Sequence, residues 1–380
     1  MNDSMGHPVG DTLLQQAGRR LVDEVAPGQT VARYGGDEFV LLLENVRETD
    51  MVSFAEKVLH ALKQPFVISG TEVFVTTSVG LSMFPQDADD PATLIRNAEM
   101  AMYQAKDSGK DSYRMFAAEM NERALRRLEL EANLRQSLLK REFVVHYQPK
   151  VSLTTGRVVG AEALVRWSLA DGSLVSPAEF IPLAEETGLI VQLGEQVIET
   201  VCGDIEGRDF PSDFRVSINL STTQFRQKDL IKSIRSIVEQ SNVSPQQLEF
   251  EITESVLMQD IDLNTAVLEQ MVEMGFSVSI DDFGTGHSSL YYLKKLPIET
   301  LKIDRSFVRD IVTDPSDALI VQTVVLMAGS LNLRVVAEGV ETNAQADLLR
   351  TFGCSTVQGF LYAKPMPFLE FMAYQKAVNT

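Results

Sequence analysis

The sequence predicts an α/β protein, with a closed TIM-like (β/α)8 barrel from about residue 125 onward and a smaller α+β unit before it. Three observations predict this. Beyond residue 141, apolar segments of strand length alternate with stretches of helical periodicity, which implies a mainly parallel sheet. About eight such strands fit the length available, the number a closed barrel needs. The segments end in Glu162, Asn219, Glu251 with Glu254, Asp281 with Asp282, Lys302, Glu338 with Glu341, and Gln358. Catalytic groups gather at the C-terminal ends of barrel strands, so one mouth would hold them all.

In chain order, residues 1–116 form the first unit. Helical spacing covers Thr12 to Val25, and a Gly35-Gly36 turn between Val31-Ala32-Arg33 and Phe39-Val40-Leu41-Leu42-Leu43 predicts a hairpin. A helix follows at Met51 to Leu62, a strand at Glu72 to Ser82, and a helix at Pro91 to Lys106. Residues 117–141, rich in Glu, Arg and Leu with Leu125, Leu128 and Leu134 at helical spacing, read as a connecting helix leading into a barrel domain at 125–380. The first barrel strand runs from Phe143 to Tyr147 and ends at Gln148 and Pro149.

Composition excludes several classes. A chain of 380 residues with 44% hydrophobic content can bury the cores of two domains. Its formal charge of −19 argues against a nucleic-acid partner, which needs a basic stripe. Cys202 and Cys354 are too few for a disulfide framework, and His7, His60, His146 and His287 lack zinc-ligand spacing. A reducing cytoplasm is the plain reading. The most apolar run, Ala318 to Gly329, is far too short for a bilayer span, and the N-terminus has no signal-peptide core, so no membrane segment is expected.

Glu162, Asn219, Glu251 and Asp281 are hard oxygen ligands at the ends of separate strands, suited to Mg²⁺ or Mn²⁺ rather than zinc. Any one of these acids alone reads better as a cap or a surface ion pair; their joint placement reverses that. Lys302, between Leu301 and Ile303, points to the face opposite both. It is either a buried partner of Asp304 or Glu338, or a cation that orients the attacking water and stabilises phosphoryl charge. Arg166 shares a strand face with Glu162, and pairs with either a substrate phosphate or a neighbouring acid. Glu341, where strand turns to helix, also reads as a helix N-terminal acid.

Ala161-Glu162-Ala163-Leu164-Val165-Arg166-Trp167 contains a Glu-Ala-Leu signature. Asn219-Leu220-Ser221, Glu251-Ile252-Thr253-Glu254, Asp281-Asp282-Phe283-Gly284-Thr285-Gly286, Leu301-Lys302-Ile303-Asp304, Ala337-Glu338-Gly339-Val340-Glu341 and Gln358-Gly359-Phe360 follow it. In content and order these motifs resemble those of the EAL domain family. Upstream, Arg33-Tyr34-Gly35-Gly36-Asp37-Glu38-Phe39 resembles the signature hairpin of the GGDEF family of diguanylate cyclases, as do Gly6-His7, Gly10-Asp11 and residues 98–106.

The EAL resemblance implies hydrolysis of cyclic di-GMP to linear pGpG with two Mg²⁺ or Mn²⁺ ions per barrel, Asp282 sharing the second ion. It implies that Glu338 works in the metal and water network as a general base, that Glu254 and Glu341 steady the loop after Asp282, and that Gln148, Pro149, Arg166, Asp304 and Gln358 contact substrate. His287 stands where the family commonly carries an aromatic residue. A homodimer through the EAL domain is also implied. The GGDEF resemblance implies that Gly35, Gly36, Asp37, Glu38 and Phe39 admit GTP beside a metal. On the same resemblance a first strand with a metal-binding aspartate should precede Asn2, and an inhibitory Arg-x-x-Asp would fall at Ala26 to Gln29, which reads Ala-Pro-Gly-Gln. Cyclase activity is therefore not expected of these residues. The rival readings are a non-catalytic cyclic di-GMP receptor, and a bifunctional enzyme if the natural chain is longer.

Overall fold

Two strands paired antiparallel over residues 143–168 open the larger unit, helices and strands follow toward the C-terminus, and the strands close on themselves. The structure is a computed structural model, and it describes every residue except 1–6, 69, 170–171, 258–260 and 285–292. The expectations at Gly6, Thr285, Gly286 and His287 lie outside the described residues, as do those for the side chains of Leu125 and Leu128. The chain divides into compact units at 1–130 and 131–380, and the helix Ala118–Lys140 runs through the division.

In the first unit the strands are β1 (Thr30–Gly35), β2 (Glu38–Leu42), β3 (Phe66–Ile68), β4 (Thr71–Val73), β5 (Ser78–Leu81) and β6 (Ser112–Met115). Among the described residues they form three two-stranded sheets, β1–β2, β3–β4 and β5–β6. The single strand expected over Glu72 to Ser82 is two, because β4 pairs antiparallel with β3 while β5 takes a parallel partner in β6. Gly35 ends β1 opposite Glu38, so the hairpin turn is Gly36-Asp37 rather than Gly35-Gly36. Gly36 takes the positive φ of 48° there, and Arg33 braces it by donating to the Gly36 carbonyl. Leu21, Val58, Leu62, Phe66, Ile68 and Val73 form the core against Phe39. Arg20 stacks on Phe66 and donates to the carbonyls of Ala61, Gln64 and Pro65, satisfying the end of the helix Glu48–Lys63.

The barrel strands are β7 (Phe143–Ser152), β8 (Val158–Ser168), β10 (Arg215–Asn219), β11 (Leu248–Thr253), β12 (Ser277–Phe283), β13 (Thr300–Ile303), β14 (Arg334–Ala337) and β15 (Thr356–Val357); β9 (Leu174–Val175) and β16 (Met366–Pro367) extend the sheet. From β8 to β15 the barrel strands pair in parallel, and β7 closes the ring antiparallel to both β8 and β15. The expected barrel thus forms with its first strand reversed. β7 also runs through Gln148 and Pro149 rather than ending at them. Pro149, which has no N–H to give, lies between the residues paired to β16 and those paired to β15, where no ladder bond is lost.

Burial follows the alternation of the strands. Outward-facing Tyr147, Val216, Phe250, Val278, Ile280, Leu301, Ile303 and Val335 pack under the helices in one apolar core. Inward positions are polar: Lys150 of β7, Ser217 of β10, Glu249 of β11 and Thr300 of β13 meet one another across the barrel. Barrel interiors are more usually filled by branched apolar side chains. Close approach is visible at Gly160, where a Cβ would lie 2.7 Å from the Arg215 carbonyl oxygen.

Candidate active site

The parallel strands deliver their last inward residues to one mouth. Glu162 comes from β8, Asn219 from β10, Glu251 from β11, Asp281 from β12 and Lys302 from β13; Glu338 and Gln358 directly follow β14 and β15. Asn219 Nδ2 donates to Glu162 Oε1 at 2.7 Å, and Gln358 Nε2 to Glu162 Oε2 at 2.6 Å. Gln358 Nε2 also reaches Gln148 Oε1 at 3.0 Å. The seven strand ends picked out from sequence therefore lie in one hydrogen-bonded constellation, with Gln148 at its wall.

At its centre is Lys302, 1% exposed. Its Nζ lies 2.5 Å from Glu338 Oε1, 3.0 Å from Asp281 Oδ1 and 3.5 Å from Glu162 Oε2, and donates to Glu251 Oε2. Of the two partners expected from sequence it takes Glu338. Asp304 instead caps the helix Arg305–Arg309, accepting from Ser306 N at 2.9 Å.

Neighbouring strand residues normally face opposite sides, yet Asp281 and Asp282 both serve the mouth. The reason is local: the β12–β13 register slips between Ile280 and Phe283, and Asp282 holds a left-handed φ of 53°. A non-glycine residue in that region stores strain, which commonly accompanies a functional site. Gly284 at φ 102° follows, and its N–H donates to Glu254 Oε2 at 3.1 Å, so buried Glu254 anchors the start of the next loop. Glu341 is exposed, and most of the loop it was expected to steady lies outside the described residues. Pro149 falls on the face opposite Gln148, with outward-facing Tyr147 and Val151. Arg166 is half-buried; its Nη1 donates to the Val165 carbonyl at 2.8 Å, and it makes no ion pair among the described residues.

Four carboxylates around one ammonium leave the mouth with excess negative charge. Burial works to lower the Lys302 pKa, but Glu162, Glu251, Glu338 and Asp281 together push it well above its ordinary value. Burial raises Glu338, and the crowding of Asp281, Glu162 and Glu251 adds to this against Lys302, so its carboxyl is pushed up to about 8. Asp282 is pushed up to about 6 by burial and by Asp281 and Asp304, with which it shares a hydrogen bond. Asp281, Asp282 and Glu338 offer oxygens within 4.8 Å of one another. An all-oxygen donor set with unneutralised charge fits hard divalent cations.

A carboxyl whose folded-state pKa is raised contributes stability below its unfolded value of 4.5, and that contribution is lost as pH climbs toward 8. Protein in chelator should therefore melt at progressively lower temperature from about pH 5 to 8. Glu338→Gln should flatten that slope. An unchanged slope in the variant would remove Glu338 from the account.

Sequence reading missed the layer beneath the mouth. Lys150 Nζ lies 3.1 Å from Glu249 Oε2 and 2.8 Å from Glu251 Oε1, and donates to Ser217 Oγ. Burial would raise Glu249, but Lys150 and the Ser217 hydroxyl hold it down at about 2. The alternation Leu248-Glu249-Phe250-Glu251 already placed both acids on one face. Nothing in the sequence marked Lys150 as their partner.

Comparison with known proteins bears on the same residues. The family described as "EAL domain" matches residues 131–365, and that described as "Diguanylate cyclase, GGDEF domain" matches 1–112. The bifunctional diguanylate cyclase/cyclic di-GMP phosphodiesterase MucR of Pseudomonas aeruginosa is 44% identical over 98% of this chain and 55% of its own. The cyclic di-GMP phosphodiesterase PdeR of Escherichia coli is 38% identical over 99% of this chain and 57% of its own. This chain thus spans about half the length of the curated relatives it matches. Among solved structures, the PaMucR phosphodiesterase in complex with c-di-GMP superposes with a TM-score of 0.61 at 45% identity, covering 64% of this chain and 99% of that one.

Proposed function

From a chain that belongs to the EAL domain family and carries a GGDEF domain ahead of its barrel, we propose a metal-dependent phosphodiesterase that hydrolyses cyclic di-GMP to linear pGpG. The observation that carries this is the mouth itself: Lys302 ringed by Glu162, Glu251, Asp281 and Glu338. A receptor without catalysis has no need of a buried ammonium among four acids, an arrangement that is costly to desolvate.

Glu162, Asn219, Glu251 and Asp281 would hold two Mg²⁺ or Mn²⁺ ions, with Asp282 sharing the second. Such ions supply Lewis-acid activation of water and neutralise phosphoryl charge. Water adds to one phosphorus as the bond to the ribose 3′ oxygen breaks, leaving a 5′-phosphate and a 3′-hydroxyl. Glu338, beside Lys302 and within reach of Asp281 and Asp282, would take the water proton, and the departing 3′ oxygen would take up a proton from solvent. Lys302 steadies charge on the phosphoryl oxygens. Arg166, Gln148 and Gln358 line the place for the nucleotide. Turnover should require Mg²⁺ or Mn²⁺, while Ca²⁺, larger and tolerant of irregular coordination, should bind and support it poorly. Equal rates in Mg²⁺ or Mn²⁺ and in chelator would sink the metal role.

The EAL barrel pairs with a second copy of itself in this reading. Leu319 and Leu326, seven residues apart on the helix Pro315–Ser330, are each more than 60% exposed and support such an apolar contact. Light scattering should return twice the mass of one chain. For the first unit, a polypeptide of these 380 residues should make no cyclic di-GMP from GTP. Asp37 and Glu38 belong to no ion-holding acidic cluster among the described residues, and the hairpin and the β5–β6 pair remain separate sheets. Synthesis from GTP by a Glu162→Ala protein, which cannot consume the product, would refute this. If GTP alters hydrolysis through the first unit, Gly36→Pro should abolish the effect, since proline cannot take a φ of 48°.

A further inference from the structure

Beneath the mouth, charge alternates in a buried column toward the barrel floor, Lys302, Glu251, Lys150 and Glu249, and ends at exposed Arg334, 3.8 Å from Glu249. Glu251, 1% exposed, is gripped at both oxygens by lysines, Lys150 on Oε1 and Lys302 on Oε2. The two lysines are not equivalent. Lys302 divides itself among four carboxylates of the mouth. Among the described residues, Lys150, 5% exposed, has only interior partners: Ser217 Oγ and Glu249 Oε2 besides Glu251.

Lys150 pairs with two carboxylates, Glu251 Oε1 at 2.8 Å and Glu249 Oε2 at 3.1 Å, and Glu249 is itself completed by Ser217 Oγ at 2.6 Å and Thr300 Oγ1 at 2.8 Å. Glu249 remains a counter-charge for Lys150 whichever way Glu251 turns. What the third contact supplies is direction, because a carboxylate bonded from below through one oxygen cannot turn the other away from the mouth. We propose that Lys150 is a positioning residue for the hydrolysis: it pins Glu251 through Oε1 and so keeps Oε2, which Lys302 meets, turned toward the mouth where the divalent cations would sit. This rests on the phosphodiesterase reading above. It places Lys150 in the support of a cation ligand, a layer where changes typically weaken metal affinity or activity by about 10–100-fold.

The test is Mn²⁺ binding by substrate-free protein, measured by titration calorimetry, with kcat and KM for cyclic di-GMP taken at saturating Mn²⁺. Lys150→Met alone strands two buried carboxylates and risks the fold, so the informative variant is Lys150→Met with Glu249→Gln, which removes both charges together. The double variant should fold and bind Mn²⁺ about 10–100-fold more weakly, with KM at saturating Mn²⁺ unchanged. A folded double variant with wild-type Mn²⁺ affinity overturns the positioning role and leaves the phosphodiesterase reading standing. Wild-type protein that binds no Mn²⁺ overturns both. A crystal structure of the wild type with Mn²⁺ decides the matter without any variant: Lys150 Nζ should remain within hydrogen-bond distance of Glu251, and a detached Lys150 overturns the proposal.

Discussion

Glu162→Ala should lower cyclic di-GMP hydrolysis by several orders of magnitude while the barrel stays folded. Glu162 accepts from both Asn219 and Gln358 and faces Lys302, so its loss removes a proposed cation ligand and also releases two neighbours that line the site. The fold should survive, because stability resides in the apolar layer between strands and helices, whereas Glu162 lies inside the mouth. Circular dichroism should be unchanged, and product formation at saturating Mn²⁺ should fall to a trace. Asp281→Asn should behave alike. Near-normal turnover by folded Glu162→Ala protein would sink the metal assignment.

Lys302→Ala should cost about 10²–10³ in kcat, the usual loss on removing one preorganised electrostatic donor, with a much smaller change in substrate affinity. The structure adds a second consequence. Removing the ammonium leaves Glu162, Glu251, Asp281 and Glu338 facing one another, and breaking a buried pair in this way typically destabilises by about 3–5 kcal/mol. The variant should therefore melt well below wild type in chelator and recover much of that loss with Mn²⁺. If substrate affinity fell while kcat held, Lys302 would be a binding residue only. If Mn²⁺ restored no stability, the four acids would not be a cation site.

Much of the mouth was legible because strands have period 2: Lys302 between Leu301 and Ile303, and Glu251 between Phe250 and Ile252, can only face inward when their neighbours face the helices. Chain order then brought seven such ends to one rim. Asp282 was legible as an acid of the site but not in its geometry, since alternation would turn it away and only the slipped register with a left-handed φ turns it back. Two other features were hidden for a similar reason. The reversal of β7 depends on which neighbours it pairs with, and no local pattern distinguishes a parallel from an antiparallel barrel strand. Lys150 meets Glu249 and Glu251 across about 100 positions of sequence, so their ion pairs exist only once the ring is closed. In the first unit, the strand expected at Glu72 to Ser82 failed because its two halves have different partners, which propensity alone does not report.

The most direct test of the central claim is product analysis of the purified protein incubated with cyclic di-GMP, with Mg²⁺ or Mn²⁺ and with chelator. Linear pGpG should accumulate with the cations and disappear with the chelator. Cyclic di-GMP recovered intact from a protein that binds it in the presence of Mn²⁺ would contradict the account and leave a receptor in place of an enzyme.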